Sequence, residues 1–234
     1  MKEQFIRTAG LIGETAVARL SAARVAVFGI GGVGGHTVEA LVRAGVGSLD
    51  LVDNDTVSES NINRQIIALH STVGRAKTEV MAERARDINP DVKITTHNTF
   101  FLPENANTFD FSRYDYVVDA IDTVAAKMEL VRRANAAGTP IISAMGTGNK
   151  LDPTAFRVTD IYKTEGCPLA RTVRGLCRKE GIQKLKVVYS PEAPRGTTYS
   201  EGGRHAPASI SFVPAAAGLL IAGTVIKDLC EIKS

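Results

Sequence analysis

Apolar and polar positions along this chain repeat with two alternating periods. Arg24–Ile30 (RVAVFGI) is a β-branched apolar run that ends in glycines, and Val33–Ala44 (VGGHTVEALVRA) then spaces its apolar residues as a helix does, up to Gly45. Ser48–Asp53 (SLDLVD) reads as a second strand, and Arg75–Ile88 as a helix stopped by Asn89-Pro90. Val92–His97 alternates like a strand. Tyr116–Ile121 and Pro140–Ala144 read as buried strands with a helix over Val124–Ala137 between them. Strands separated by amphipathic helices imply right-handed β-α-β crossovers, and so a doubly wound, mostly parallel Rossmann-like α/β sheet covered on both faces.

Beyond Leu151 the pattern changes. Phe156–Ile161 alternates like a half-exposed strand, Pro168–Lys179 reads as a basic helix with Pro168 in its first turn, and Lys186–Tyr189 as a short strand. Residues 190–207 hold three prolines and three glycines and read as one long irregular segment. Val213–Leu229 closes the chain as an almost wholly apolar helix. The second half is too small to stand alone, so residues 1–234 read as a single domain, with a nucleotide-binding core over 1–150 and a C-terminal α/β elaboration over 151–234.

Composition narrows the classes. With 44% hydrophobic side chains and dispersed charges the chain is not disordered. Its three cysteines include no Cys-x-x-Cys pair, which excludes a Cys₄ zinc site and a disulfide scaffold. Met1–Arg24 lacks the apolar stretch of a secretory signal, so the expected compartment is the cytoplasm with reduced thiols. The longest apolar run, Phe212–Ile226, has 15 residues where a bilayer needs roughly 20, so it reads as a buried helix and no membrane partner is expected. Residues 1–155 carry 16 basic and 18 acidic side chains and residues 156–234 carry 12 and 7, so net charge changes from −2 to +5. A basic back half suits a polyanionic partner.

Gly29-Ile30-Gly31-Gly32-Val33-Gly34-Gly35 follows the first strand and opens the first helix, the context in which such glycines admit a phosphate to a helix N-terminus. Asp53 ends the second strand where a carboxylate can bond a ribose hydroxyl. Taken alone, that pair favours NAD. The residues that follow favour a triphosphate: Asp53-Asn54-Asp55, then Asn61, Arg64 and Gln65, then Gly74-Arg75-Ala76-Lys77. A guanidinium and an ammonium beyond the ribose can hold phosphate charge as pyrophosphate leaves. Asp122, at the carboxyl edge of the sheet, is placed to hold Mg²⁺ against phosphate oxygens.

The set GIGGVGG, DNDTV, SNINRQ, GRAK and DAID resembles the ubiquitin-activating-enzyme-like (ThiF/MoeB/HesA) adenylylating superfamily, over roughly Gln4 to Leu229. FIRTAGLIGE, INPDVKI, DPTAFRVTDIYKT, CPLAR, LKVVYSPE and FVPAAAGLLIA resemble one branch of it, the dehydratases of N6-threonylcarbamoyladenosine in tRNA. The resemblance implies ATP-dependent cyclisation of that nucleoside through a carboxylate adenylate, in a homodimer using ATP and Mg²⁺, with the C-terminal elaboration serving substrate binding and dimerisation. It places Gly29, Gly31, Gly32 and Gly34 in the nucleotide turn and Asp53 on the ribose. It puts Asn61, Arg64 and Lys77 on the phosphates, with Asp55 and Gln65 beside them. Asp122 falls on the metal, and Arg7 where relatives supply an arginine across the dimer.

Arg171, Arg174 and Arg178 recur at i, i+3 and i+7 on one helix face, and Lys179, Lys184 and Lys186 extend the charge, a stripe suited to the phosphates of a tRNA substrate. Tyr189, Arg195, Tyr199, Arg204 and His205 are candidates for contact with the modified base. Cys167 reads as a small residue at a helix start rather than a catalytic thiol, and Cys177 and Cys230 as core fillers. Two other readings stay open: activation of the C-terminus of a ubiquitin-like sulfur carrier, with a sulfur-transfer protein as partner, and a non-catalytic NAD-binding or adaptor protein. The lack of paired cysteines argues against the first, and the joint presence of Arg64, Lys77 and Asp122 against the second.

Overall fold

The computed structural model describes residues 2–196, 198–201 and 204–232. Two short helices, α1 (Ile6–Ile12) and α2 (Glu14–Ala22), precede the first strand, in a stretch whose apolar pattern predicts no element. They are held by a small satellite cluster of Phe5, Ala9 and Val17. The expected alternation follows: β1 (Arg24–Phe28), α3 (Gly34–Ala44), β2 (Ser48–Val52), α4 (Lys77–Ile88), β3 (Lys93–His97), β4 (Tyr116–Asp119), α5 (Val124–Ala137) and β5 (Ile141–Ala144). The back half adds β6 (Arg157–Asp160), α6 (Pro168–Lys179), β7 (Lys186–Tyr189), β8 (Thr198–Glu201), β9 (Arg204–Pro207) and α7 (Phe212–Leu229).

Seven strands form one sheet in the order β3-β2-β1-β4-β5-β7-β6, with every pair parallel except β6 against β7. Because β7 pairs onto β5 and β6 onto β7, both halves of the chain share one sheet. Side chains alternate between its faces. Val25 and Val27 of β1 share one buried core with Leu41, Met81, Ala217 and Ile221 of α3, α4 and α7, whereas Ala26 and Phe28 belong to a second with Leu130 and Val173 of α5 and α6. Burial on both faces explains why the central strands read as continuous apolar runs. Strand order reverses between β1 and β4, and a ligand crevice opens at such a point outside the carboxyl ends of the strands.

α7 is long and apolar enough, by length and composition alone, to cross a membrane. Here it packs on α3 and the sheet: Val213, Ala217, Ile221 and Val225 are buried, and Thr37 Oγ1 donates to Gly218 O at 3.0 Å. Its outer face leaves Phe212 and Leu219 exposed. The 190–207 segment is not wholly irregular, since β8 and β9 pair antiparallel with Glu201 opposite Arg204. The Gly-Gly pair between them in the sequence is a hairpin signal that the count of turn residues concealed.

Candidate functional site

β1 ends where Gly29 bends the chain into the turn before α3. Gly29 has φ 89° and lies so close to the β4–α5 loop that a Cβ would stand 2.6 Å from Ala120 O. At Gly34 a Cβ would stand 1.8 Å from Gly29 O, so only glycine lets α3 start against its own turn. The turn borders a cavity of about 600 Å³ at the carboxyl edge of the sheet.

Gly29, Gly31, Gly32, Asp53, Asp55, Asn61, Arg64, Gln65, Lys77 and Asp122 all line this cavity. Gly34 does not line it and acts one layer behind, in the contact just described. Asp53 Oδ2 accepts from Ile30 N at 2.6 Å and its Oδ1 from Asp55 N at 2.9 Å, which ties the end of β2 to the glycine turn. Lys77, at the start of α4, is nearly enclosed, and its Nζ lies 2.7 Å from Asp55 Oδ2. Arg64 Nη1 donates to Ser60 O at 2.9 Å and to Asn63 Oδ1 at 2.8 Å. Asn61 Oδ1 accepts from Ser58 N at 3.2 Å in the turn that presents both residues.

Two features mark the cavity as built for a polar guest. Cationic Arg64 and Lys77 face it from different elements. Gln65 is 7% exposed, yet its Oε1 has no hydrogen-bond partner, an acceptor that burial makes costly to leave unpaired. Asp122 is exposed at the mouth, beyond a buried pair that the motif reading missed: Asp119 at the end of β4 and Lys127 in α5. Among the described residues no group of three or more His, Cys, Asp or Glu could hold a metal ion, and the carboxylates that line the cavity are Asp53, Asp55 and Asp122. The far wall is formed by Gly146, Thr147, Gly148, Leu169 and Pro207, and Phe100 stands half-exposed on the β2 side. The Phe100-Phe101 pair after β3 was the available signal for that wall.

Other assignments separate. Arg7 is exposed on α1 and does not line the cavity of its own chain. The basic stripe divides. Arg171, Arg178, Lys179 and Lys184 are exposed, with Arg178 over the Tyr162 ring at 5.7 Å. Arg174, by contrast, is tied down by Thr164 O at 2.8 Å and Thr164 Oγ1 at 2.6 Å. Lys186 does not extend that face at all: it shares the α7 side of β7 with Val188 and pairs with Asp228, because strand side chains alternate. Tyr189 is buried on the α6 side and cannot meet a base there. Arg195 is exposed, while the side chains of Tyr199, Arg204 and His205 lie outside the described residues. Cys167 is buried at the start of α6 and does not line the cavity. Cys177 and Cys230 are buried too, and burial, reinforced by Glu180 and Asp160, pushes the Cys177 thiol up to about 11.

Comparison with known proteins follows the same outline. The model of the ThiF family matches residues 5–234. A Bacillus subtilis (strain 168) protein named tRNA threonylcarbamoyladenosine dehydratase is 41% identical over 244 residues, covering 99% of this chain and 96% of its own. The Escherichia coli tRNA N6-threonylcarbamoyladenosine dehydratase TcdA in complex with ATP superposes with a TM-score of 0.90 at 37% identity, over 98% of this chain and 94% of that one. Its complex with AMP gives 0.89 at 37% identity, again over 98% and 94%.

Proposed function

The chain belongs to the ThiF family, and from that premise we propose that it is an ATP-dependent dehydratase that cyclises N6-threonylcarbamoyladenosine in tRNA. The observation that carries this reading is one cavity bringing the glycine turn, Asp53, Asn61, Arg64, Gln65, Lys77 and Asp122 together, in a chain alike from end to end to dehydratases of that name.

The donor set fits ATP. Asp53 meets the ribose, and Asn61, Arg64 and Lys77 the phosphates, with cations placed where charge develops. The exposed carboxylate of Asp122 at the cavity fits Mg²⁺, which binds through one or two carboxylates and completes its shell with phosphate and water oxygens. When bound, the ion neutralises phosphate charge. The threonyl carboxylate attacks the α-phosphorus, the bond to the β-phosphate bridge breaks, and pyrophosphate leaves with its charge held by Arg64 and Lys77. The neighbouring carbamoyl group then attacks the activated acyl carbon, AMP departs and the ring closes. The water lost by the nucleoside is balanced by the ATP cleaved to AMP and pyrophosphate. Nucleophile and acyl group share one side chain, so proximity carries much of the second step.

The enzyme acts as a cytoplasmic homodimer. The exposed apolar residues Phe212 and Leu219 on α7 suit a second copy, and exposed Arg7 on α1 is free to serve a partner's cavity. Arg171, Arg178, Lys179 and Lys184 grip tRNA phosphates. A sulfur-transfer partner gains nothing from the geometry, since no cysteine is among the residues lining the cavity. The test is incubation with Mg·ATP and tRNA bearing the modified nucleoside, followed by mass spectrometry of the digest. The expected result is loss of one water with release of AMP and pyrophosphate. An unchanged nucleoside, together with ATP–pyrophosphate exchange driven by a carrier protein, would overturn the reading.

A further inference from the structure

Asn149 lies just beyond the far wall of the cavity and adopts φ 59°, a left-handed conformation that short amide side chains tolerate better than most. Strained residues of this kind persist where the surroundings over-determine them, and here three hydrogen bonds do so. Asn149 N donates to Ala208 O at 2.8 Å, Asn149 Oδ1 accepts from Ala208 N at 2.7 Å, and Asn149 O accepts from Arg195 N at 2.8 Å. One residue therefore fastens both ends of the excursion that carries β8 and β9. The next carbonyl along, Ser209 O, accepts from Asn63 Nδ2 at 3.0 Å, and the same Asn63 offers its Oδ1 to Arg64 Nη1 at 2.8 Å. Ser209 and Arg64 both line the cavity, while Asn149 and Asn63 do not.

We propose that Asn149 and Asn63 are positioning residues that couple the seating of the β8–β9 hairpin to the placement of the Arg64 guanidinium. The amide of Asn63 can serve Ser209 and Arg64 together only while Ser209 is held where Asn149 fastens it. Loss of either amide frees Arg64 from one of its two acceptors, leaving Ser60 O. The proposal rests on the reading of Arg64 as a phosphate ligand of ATP, and binding of ATP alone tests it without a tRNA substrate.

The experiment is calorimetric titration of the full-length protein with Mg·ATP for the parent, Asn63→Ala, Asn149→Ala, the double variant and Asn149→Asp. Asn63 is exposed, so its truncation leaves the fold intact and keeps the test readable should Asn149→Ala fold poorly. Each alanine variant is expected to weaken ATP binding by about three- to tenfold, the scale of one ordinary hydrogen bond. The double variant should be no weaker than Asn63→Ala, because both changes break one linkage. Asn149→Asp keeps the acceptor and the backbone conformation and should restore parental affinity. Parental ATP affinity in Asn63→Ala, or penalties that multiply in the double variant, would overturn the coupling. Failure of the parent to act on tRNA would instead sink the dehydratase reading and leave these affinities to judge the coupling.

Discussion

Lys127 Nζ lies 2.8 and 2.9 Å from the two carboxylate oxygens of Asp119, with both side chains shut off from solvent. Asp119 closes β4 and also accepts from Ile121 N at 3.3 Å, so the pair sets the start of the loop that carries Asp122. Removing one member of a buried pair leaves an uncompensated charge, at a cost of about 3–5 kcal/mol. Lys127→Met is therefore expected to lower unfolding stability on that scale. It should also reduce Mg·ATP turnover, through displacement of Asp122. Urea unfolding and turnover on the same preparation check both. A variant as stable as the parent would show that Asp119 is neutralised in some other way.

This pair also shows where the sequence stops being legible. Asp53, Arg64, Lys77 and Asp122 could be read ahead because each ends or follows a strand at the same sheet edge, so topology alone gathers them. Lys127 lies inside an amphipathic helix, where a lysine normally faces water, and nothing in the helical period says that a carboxylate waits beneath it. Lys186 was misplaced for a related reason. Alternation fixes that it shares a face with Val188, but β7 is covered on both sides, so the pattern cannot say which helix it meets. Arg174 shared the expected stripe and was lost to it by Thr164, a contact between residues ten apart across a turn.

The glycine turn separates packing from ligand access. At Gly34 an added methyl group collides with Gly29 O, whereas at Gly31 its nearest neighbour would be Gln65 Nε2, 3.7 Å away and in ordinary contact. Gly34→Ala should therefore destabilise the fold by about 1–3 kcal/mol or more, as other overpacked sites do. Gly31→Ala should change stability by less than about 1 kcal/mol, yet weaken ATP binding because the methyl group enters the cavity. Thermal unfolding paired with ATP titration distinguishes the two. Equal stability losses would mean that the turn relaxes in a way these contacts do not describe.

Asp50 gives a pH dependence. Burial opposes its ionisation, but hydrogen bonds from His97 at 2.9 Å and from Arg24 at 2.8 and 3.0 Å outweigh that and hold its carboxyl below the usual range. A carboxylate with a depressed folded value stabilises the protein above its unfolded value of about 3.9 and loses that contribution as pH falls through the folded one. Asp50→Asn should be less stable than the parent at pH 7, with the gap narrowing below about pH 4. Denaturant unfolding from pH 3 to 7 reads this. A gap that stays constant into acid would remove the ionised form of Asp50 from the account.

The two ends of the basic stripe should now respond differently. Arg171 and Lys184 are exposed on the α6 side, so Arg171→Glu and Lys184→Glu leave stability within about 0.5 kcal/mol of the parent. Each should nevertheless weaken tRNA binding and flatten its dependence on salt, since fewer phosphates release counterions. Lys186 pairs with Asp228, which also accepts from Tyr116 Oη at 2.6 Å beneath α7. Lys186→Met should act through that cluster, shifting the unfolding midpoint while the salt slope of tRNA binding stays parental. Filter binding across a salt series, with unfolding measured alongside, checks all three variants. A reduced salt slope in Lys186→Met, with stability unchanged, would return that residue to the tRNA surface and discard the division of the stripe.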